Sequence, residues 1–338
     1  MMNFCTLFDS YYLDKGIALY RSLEAVTEDF TLYIFCFDER AYEILNDLGL
    51  NHAVMIREKD IRTPALLEKK KERSKAEYCW TCTPIIIQYV LDRYPVRDCI
   101  YLDSDLYFYN NPAVLYDEIT SSEADAAIVE HRFKDTDYGR RLEERNGRFC
   151  VEFNYFKNTE NGRKILSWWR DKCMDWCFDQ PEPERMGDQK YLNQFPKLFT
   201  GVHILEHLGG GVAPWNLERY TLVKCEGNDI LMQEGKGEVF PLVFYHFQNI
   251  RYMPGRRVNI KSQTKSKNLK YAIYIPYLKE IEEIRKELIE DFGMSYSEKG
   301  IVRSSNPVIG FLQEHFAAFK LQSLSDVICL DRLDRYQV

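Results

Sequence analysis

Apolar positions come in short runs separated by stretches of helical periodicity. Residues 3–8 (Asn3-Phe4-Cys5-Thr6-Leu7-Phe8) have the length and content of a buried strand. Asp9 to Tyr12 reads as a turn, and Ile17, Leu19, Tyr20 and Leu23 give residues 13–25 a helical pattern. Residues 30–37 form a second apolar run. Asp38 is placed to cap a helix reaching about Leu48, with Gly49 as its C-cap. Residues 54–56 make a short third strand. Strands alternating with helices predict an α/β chain built on a parallel, doubly wound sheet.

The pattern continues less regularly. The Lys/Glu-rich stretch 68–75 reads as a solvated helix end. Residues 76–93 read as a long helix, with Pro84 either kinking it or marking its true start. Cys99-Ile100-Tyr101-Leu102 is a buried strand that runs into Asp103-Ser104-Asp105. Asn111-Pro112 opens a helix, residues 124–129 and 152–156 are strands, and residues 161–178 are a Trp-rich helix. Residues 187–195 form a short helix and Gly209-Gly210-Gly211 a flexible loop. Residues 242–246 are an apolar strand ending in His246, residues 274–290 an amphipathic helix, and about the last thirty residues a helical tail.

Composition narrows the classes. Apolar residues make up 45% of 338 positions, enough for a large core, which excludes a disordered chain. A net charge of -7 argues against general nucleic-acid binding. Met1-Met2-Asn3-Phe4-Cys5 lacks the basic and apolar regions of a signal peptide, and no stretch approaches the roughly 20 apolar residues of a membrane span. The expectation is a cytoplasmic protein, with peripheral contact at the inner face of the membrane left open. Ten scattered Cys then read as free, mostly buried thiols.

The sharpest chemistry is in Tyr101-Leu102-Asp103-Ser104-Asp105-Leu106-Tyr107. Two carboxylates one residue apart stand at the carboxyl end of a buried strand, the edge where open α/β sheets bind ligands. They repel each other, and the apolar flank makes them harder to solvate. A divalent cation relieves both costs and leaves open positions for a diphosphate. An Asp-rich turn is the plain alternative, and the strand before it favours the metal site.

This segment resembles the DxD motif of GT-A nucleotide-diphospho-sugar glycosyltransferases, and further pieces resemble the retaining family-8 type and its bacterial relatives in the same order. They are Thr6 to Tyr12 ahead of Leu19-Tyr20-Arg21-Ser22-Leu23, then Phe153-Asn154, then Gly187-Asp188-Gln189-Lys190-Tyr191-Leu192-Asn193, then Phe244-Tyr245-His246-Phe247. Together they cover residues 3 to about 252. The resemblance implies a GT-A fold with a C-terminal helical extension, divided as a catalytic domain over 1–255 and an extension over 256–338. It implies Asp103, Asp105 and His246 as metal ligands. Carboxylates with an imidazole favour Mn²⁺, with Mg²⁺ possible. It implies Asp188 on the donor sugar's hydroxyls, Gln189 beside the anomeric carbon and Asn154 on sugar or acceptor. It also implies that Phe8, Asp9, Tyr12, Glu77, Asp103 and Ser104 face the nucleotide-diphosphate sugar. Where relatives continue from the His through Gly to Lys-Pro-Trp, this chain has Phe247-Gln248-Asn249-Ile250-Arg251, so Arg251 stands in for the Lys on the diphosphate. The resemblance implies a glycan or lipid-linked acceptor, which fits surface-polysaccharide biosynthesis.

Other features carry less. Cys79 and Cys82 have CxxC spacing but lie in a helical pattern with no second pair, so buried thiols are favoured over zinc or redox chemistry. His203 and His207 flank strand-like Ile204-Leu205 and do not share a helix face. Trp168, Trp169 and Trp176 read as core or acceptor platform. Gly209 to Asn216 resembles the G-x-x-x-A-P-W-N of bacterial relatives, or is a plain loop. Residues 251–271 hold seven Lys/Arg and no acid, which suits either a solvated loop or an anionic lipid surface. Two rival classes remain. A sugar-phosphate nucleotidyltransferase wants a Gly-rich basic loop after the first strand, and Asp9-Ser10-Tyr11-Tyr12 is not one. A non-catalytic carbohydrate-binding protein on the same fold would hydrolyse no donor.

Overall fold

The computed structural model describes residues 1–296 and 326–336. In chain order the elements are β1 (Met2–Phe8), α1 (Leu13–Val26), β2 (Phe30–Cys36), α2 (Glu39–Leu48), β3 (Ala53–Arg57), α3 (Pro64–Glu72), α4 (Lys75–Arg93) and β4 (Asp98–Leu102). Then come β5 (Leu106–Phe108), α5 (Ala113–Ser121), β6 (Ala126–Glu130), α6 (Asp137–Asn146), β7 (Phe149–Lys157), α7 (Glu160–Asp175), α8 (Phe195–Leu198) and β8 (Val202–Ile204). The remainder is β9 (Tyr220–Glu226), β10 (Asp229–Glu234), β11 (Val239–Pro241), β12 (Phe244–His246), β13 (Arg251–Met253), β14 (Arg257–Asn259), α9 (Lys267–Phe292) and β15 (Val327–Cys329). They divide into two compact units, Met1–Val212 with Leu242–His246, and Ala213–Pro241 with Phe247–Val338.

The first unit is built on a seven-stranded sheet in the order β3-β2-β1-β4-β7-β6-β8. β1, β2, β3 and β4 pair in parallel, as do β6 and β8, whereas β7 runs antiparallel to both its neighbours. The expected all-parallel sheet is therefore corrected at one strand. The connection through α6 returns the chain into the gap between β4 and β6 in the reverse direction, and pairing on both sides satisfies its backbone. A mixed sheet of this kind, with the two aspartates just past β4, agrees with the GT-A expectation.

Local chemistry sets the ends of the helices. The Asp38 side chain accepts from Ala41 N at 2.8 Å, and Gly49 closes α2 in the left-handed conformation. Ser74 and Glu77 form a reciprocal capping box at the start of α4, so this helix begins at Lys75 and runs through Pro84 rather than starting there. α6 is among the elements the pattern misses: of its ten residues only Gly139 is buried, leaving no apolar stripe to read. Cys82, Ile86, Ile87 and Val90 of α4 pack with Phe156, Trp169, Leu166 and Phe195 in the main core. The expected short helix around 187–195 reduces to a 3-10 turn at Lys190–Gln194 followed by α8.

The second unit contains the hairpin β9-β10 with β11 alongside, the three-stranded set β13-β14-β15, and α9. Phe247 stacks on Tyr277 of α9 with centroids 3.7 Å apart. The basic stretch 251–271, open to either a solvated loop or a lipid surface, is partly spent on internal pairs: Lys270 is buried against Asp326 at 2.7 Å, and Arg256 binds Glu282 and Asp331. The helical tail expected for the last thirty residues falls mostly outside the described residues. The described part is β15 followed by a 3-10 turn, Leu330–Arg335. No helix among the described residues is long and apolar enough to cross a membrane.

Candidate functional site

β4 is buried along its whole length, so its chain can leave the sheet only at the tip, where Asp103 begins a turn closed by Leu106 N to Asp103 O at 3.2 Å. β5 follows and pairs antiparallel with β12, which sets His246 opposite Leu106. Two segments nearly 140 positions apart are thereby brought to one point. His246 Nε2 lies 3.0 Å from Asp105 Oδ1 and 3.7 Å from Asp103 Oδ2, and one donor atom from each of the three falls within 4.8 Å of the others. The tyrosine two residues before Asp103 donates its phenol to Asp103 Oδ1 at 2.9 Å.

The charge at this point is unbalanced. Burial pushes the Asp103 carboxyl up to about 6, with Asp105 and Glu152 adding to the shift and His246 opposing it. Asp105 also loses hydration, but attraction and a hydrogen bond from His246 outweigh that and hold it at about 2. His246 is held well above the ordinary histidine range: burial opposes its charge, and Asp105 overcomes the opposition. Two carboxylates and one imidazole, on backbone fixed by sheet pairing, fit a divalent cation with mixed oxygen and nitrogen donors.

Asp188 stands in the same electrostatic neighbourhood. It is buried, and burial followed by the charge of Asp103 raises it to about 8. Thr83 of α4 hydrogen-bonds both Asp188 and Tyr101, so a side-chain chain runs from Asp188 through Thr83 and Tyr101 to Asp103. The Trp169 indole donates to Asp188 O at 2.9 Å and holds this turn from behind. Gln189 is next in the chain and half-buried. Asn154 lies opposite Tyr101 in the β4–β7 register, fully buried; its Nδ2 donates to Val151 O, and its Oδ1 has no partner among the described residues.

The remaining predicted donor residues lie at the ends of β1 and α4 and in the second unit. Phe8 ends β1 with its ring packed so closely on α1 that a Cβ at Gly16 would collide with it. Asp9 is buried, caps the turn that follows by accepting from Tyr11 N at 3.0 Å, and pairs with Lys75 at the start of α4. Tyr12 is exposed, with Lys15 Nζ 3.9 Å above its ring. Glu77 is occupied by the α4 cap and by Asp179 N at 2.9 Å. Ser104 is half-buried between the two aspartates. Arg251 opens β13 in the second unit and is exposed.

Sequence reading missed Glu152 and Cys150. Both lie on β7, on the face shared with Asn154, and both reach His246 from the side opposite the aspartates. Glu152 is fully buried, with Oε2 2.5 Å from His246 Nδ1. Cys150, Glu152 and His246 thus form a second trio of potential ligand groups sharing the same imidazole. A carboxylate in a nine-residue strand with no exposed position was the available signal. Cys79 and Cys82 are free thiols on α4, as read, with burial raising both. His203 and His207 both engage Glu118, through the His203 ring and the His207 backbone.

Among solved structures, the galactosyltransferase LgtC in complex with donor and acceptor sugar analogs aligns with 75% of this chain and 88% of its own, at 14% identity and a TM-score of 0.48. Mouse xyloside xylosyltransferase 1 aligns with 73% and 98%, at 14% identity and a TM-score of 0.43. Likeness of this degree transfers no substrate. No family model matches the sequence. The uncharacterized protein YfnD of Bacillus subtilis (strain 168) is 27% identical over 316 residues, 92% of this chain and 98% of that one. YfnF of the same organism, also uncharacterized, is 31% identical over 254 residues, 73% of this chain and 81% of its own length, and the chain belongs to the family that YfnF represents.

Proposed function

We propose that the chain is a metal-dependent glycosyltransferase that moves a sugar from a nucleotide-diphosphate donor to a glycan or lipid-linked acceptor, with retention of anomeric configuration. The observation that carries this reading is the convergence of Asp103, Asp105 and His246 beside a further buried carboxyl, Asp188. In this reading the first three hold Mn²⁺, or Mg²⁺ in its absence. When bound, the cation supplies charge neutralisation for the departing diphosphate. Asp188 holds hydroxyls of the donor sugar, Gln189 faces the anomeric carbon, and Asn154 offers its unpartnered Oδ1 to sugar or acceptor. Phe8, Asp9, Tyr12, Glu77, Ser104 and Arg251 are assigned to the nucleotide and its phosphates, with Tyr12 the exposed aromatic face. No carboxylate other than those assigned is invoked as a nucleophile, so the acceptor attacks from the leaving-group face.

The catalytic domain is taken as residues 1–255 and the extension as 256–338. Membrane contact through 251–270 has less free charge than the sequence suggests, because Arg256 and Lys270 are committed to internal acids. The test is a panel of UDP-, GDP- and dTDP-sugars with Mn²⁺ or with EDTA, read by thermal shift and by release of nucleoside diphosphate. One donor should raise the melting temperature only with metal and be slowly hydrolysed. Pyrophosphate formed from sugar phosphate and nucleoside triphosphate would instead establish a nucleotidyltransferase.

A further inference from the structure

Glu152 is a buried carboxylate that the proposed transfer does not use. It comes from the middle of β7 and makes two contacts with the site. Its backbone oxygen accepts from Asp103 N at 3.1 Å, and its Oε2 lies 2.5 Å from His246 Nδ1. Behind it Gly211 sits at φ +80, and a Cβ there would come within 3.3 Å of Glu152 Oε1 and 2.5 Å of Arg132 Nη2. That wall is left without a side chain, which gives the carboxylate its place.

A neutral imidazole carries one proton, and the partner of one nitrogen decides what the other can offer. An ionised carboxylate only accepts. Set against Nδ1, it keeps a proton there, so that when a cation displaces the proton Nε2 shares with Asp105 the lone pair is left on Nε2, the nitrogen that faces Asp105 at 3.0 Å and Asp103 at 3.7 Å. We propose that Glu152 is a positioning residue, which fixes the tautomer and ring plane of His246 so that Nε2 presents its lone pair to a divalent cation shared with Asp103 and Asp105. This rests on the metal reading above. The alternative, a separate Cys150–Glu152–His246 centre for a softer ion such as Zn²⁺, is opposed by distance. Nitrogen and oxygen at 2.5 Å form a closed hydrogen bond, whereas two ligands each about 2 Å from a tetrahedral zinc stand well over 3 Å apart.

The test is Mn²⁺ titration by calorimetry on the full chain, as wild type, Asp105→Asn, Glu152→Gln and Glu152→Ala, with melting temperature in EDTA recorded for each. Co²⁺ absorption serves as a second readout of imidazole coordination. Glu152→Gln is isosteric and carries the test if the alanine variant does not fold. The expected result is Mn²⁺ affinity lower by about 10- to 100-fold in both Glu152 variants, with a changed Co²⁺ spectrum in the folded protein. Metal binding lost in Asp105→Asn yet unchanged in both Glu152 variants overturns the role of Glu152 and leaves the metal site standing. Wild type that binds no Mn²⁺ removes the metal reading itself. A zinc equivalent abolished by Cys150→Ser would show that Nδ1 is a ligand and would likewise overturn the proposal.

Discussion

Two groups of buried acids in the first unit solve the same problem in opposite ways. Glu58 is almost wholly buried, and each of its oxygens is answered: Oε1 by Lys70 at 2.9 Å and Tyr78 OH at 2.6 Å, Oε2 by Arg62 Nε at 2.7 Å. Burial opposes its charge, but the bonds from Arg62, Tyr78 and Lys70 win and hold it below the usual carboxylate range. At the β4 tip, Asp103, Asp105 and Glu152 gather around one imidazole, Asp188 adds its charge to that of Asp103, and burial drives Asp103 up to about 6 and Asp188 up to about 8. A chain able to neutralise a buried acid completely at Glu58 leaves a deficit of positive charge at β4. Such a deficit costs stability unless a counter-charge arrives, and the proposed cation would supply one.

The largest expected effect comes from removing part of that deficit. Asp105→Asn takes away the carboxylate closest to His246 and should lower sugar transfer by at least about a thousandfold, the scale of a lost major electrostatic contributor. Its metal-free melting temperature at neutral pH should fall below that of wild type, because Asp105 is held at about 2 by its pair with His246 and the stability of that pair goes with the charge. Near-normal turnover in this variant with excess EDTA would break the comparison, since the β4 acids would then be no more functional than Glu58.

A stability measurement on Asp188→Asn sharpens the contrast. The folded-state value near 8 lies above the ordinary aspartate value near 3.9, so the folded chain holds this proton more tightly than the unfolded one. The associated stability is complete below about pH 4 and is lost as pH rises through 8. Asparagine needs no proton, so in EDTA the variant should gain on the order of 3 kcal/mol over wild type at pH 9 and match it near pH 4. Urea denaturation across that range checks it. A variant less stable than wild type at pH 9 would mean that Asp188 is answered by charges as Glu58 is.

The difference between the two groups was only half legible in the sequence. Asp103 and Asp105 stood out because an apolar strand delivered them, and His246 because it ended another. Glu58 looked like any surface acid, since its partners Arg62, Lys70 and Tyr78 come from three later segments whose packing no local pattern reports. Glu152 did carry a signal, a charge among buried neighbours, but its partner lies 94 positions away. The reversed β7 was invisible for a different reason: residue alternation is the same in either direction along a strand, and α6 offered no apolar face to show where the chain turned back.

The smallest expected effect belongs to Glu58→Gln, the converse of the aspartate substitutions. The amide keeps one acceptor but loses the charge that answers Arg62 and Lys70. Their side chains are 42% and 40% exposed, so solvent recovers part of the loss. The cost should be about 2 kcal/mol at pH 7, below the 3–5 kcal/mol of a fully buried broken pair. Because Glu58 is held below its unfolded value, its contribution is present above about pH 4.3 and disappears on acidification, so wild type and variant should converge near pH 3. Donor turnover by the folded variant should stay within about twofold of wild type, because the bonds of Glu58 go to Arg62, Lys70 and Tyr78 and to none of Asp103, Asp105 and His246. A Glu58→Gln protein that keeps its stability but loses turnover tenfold would reverse the assignment, making the balanced cluster the working one.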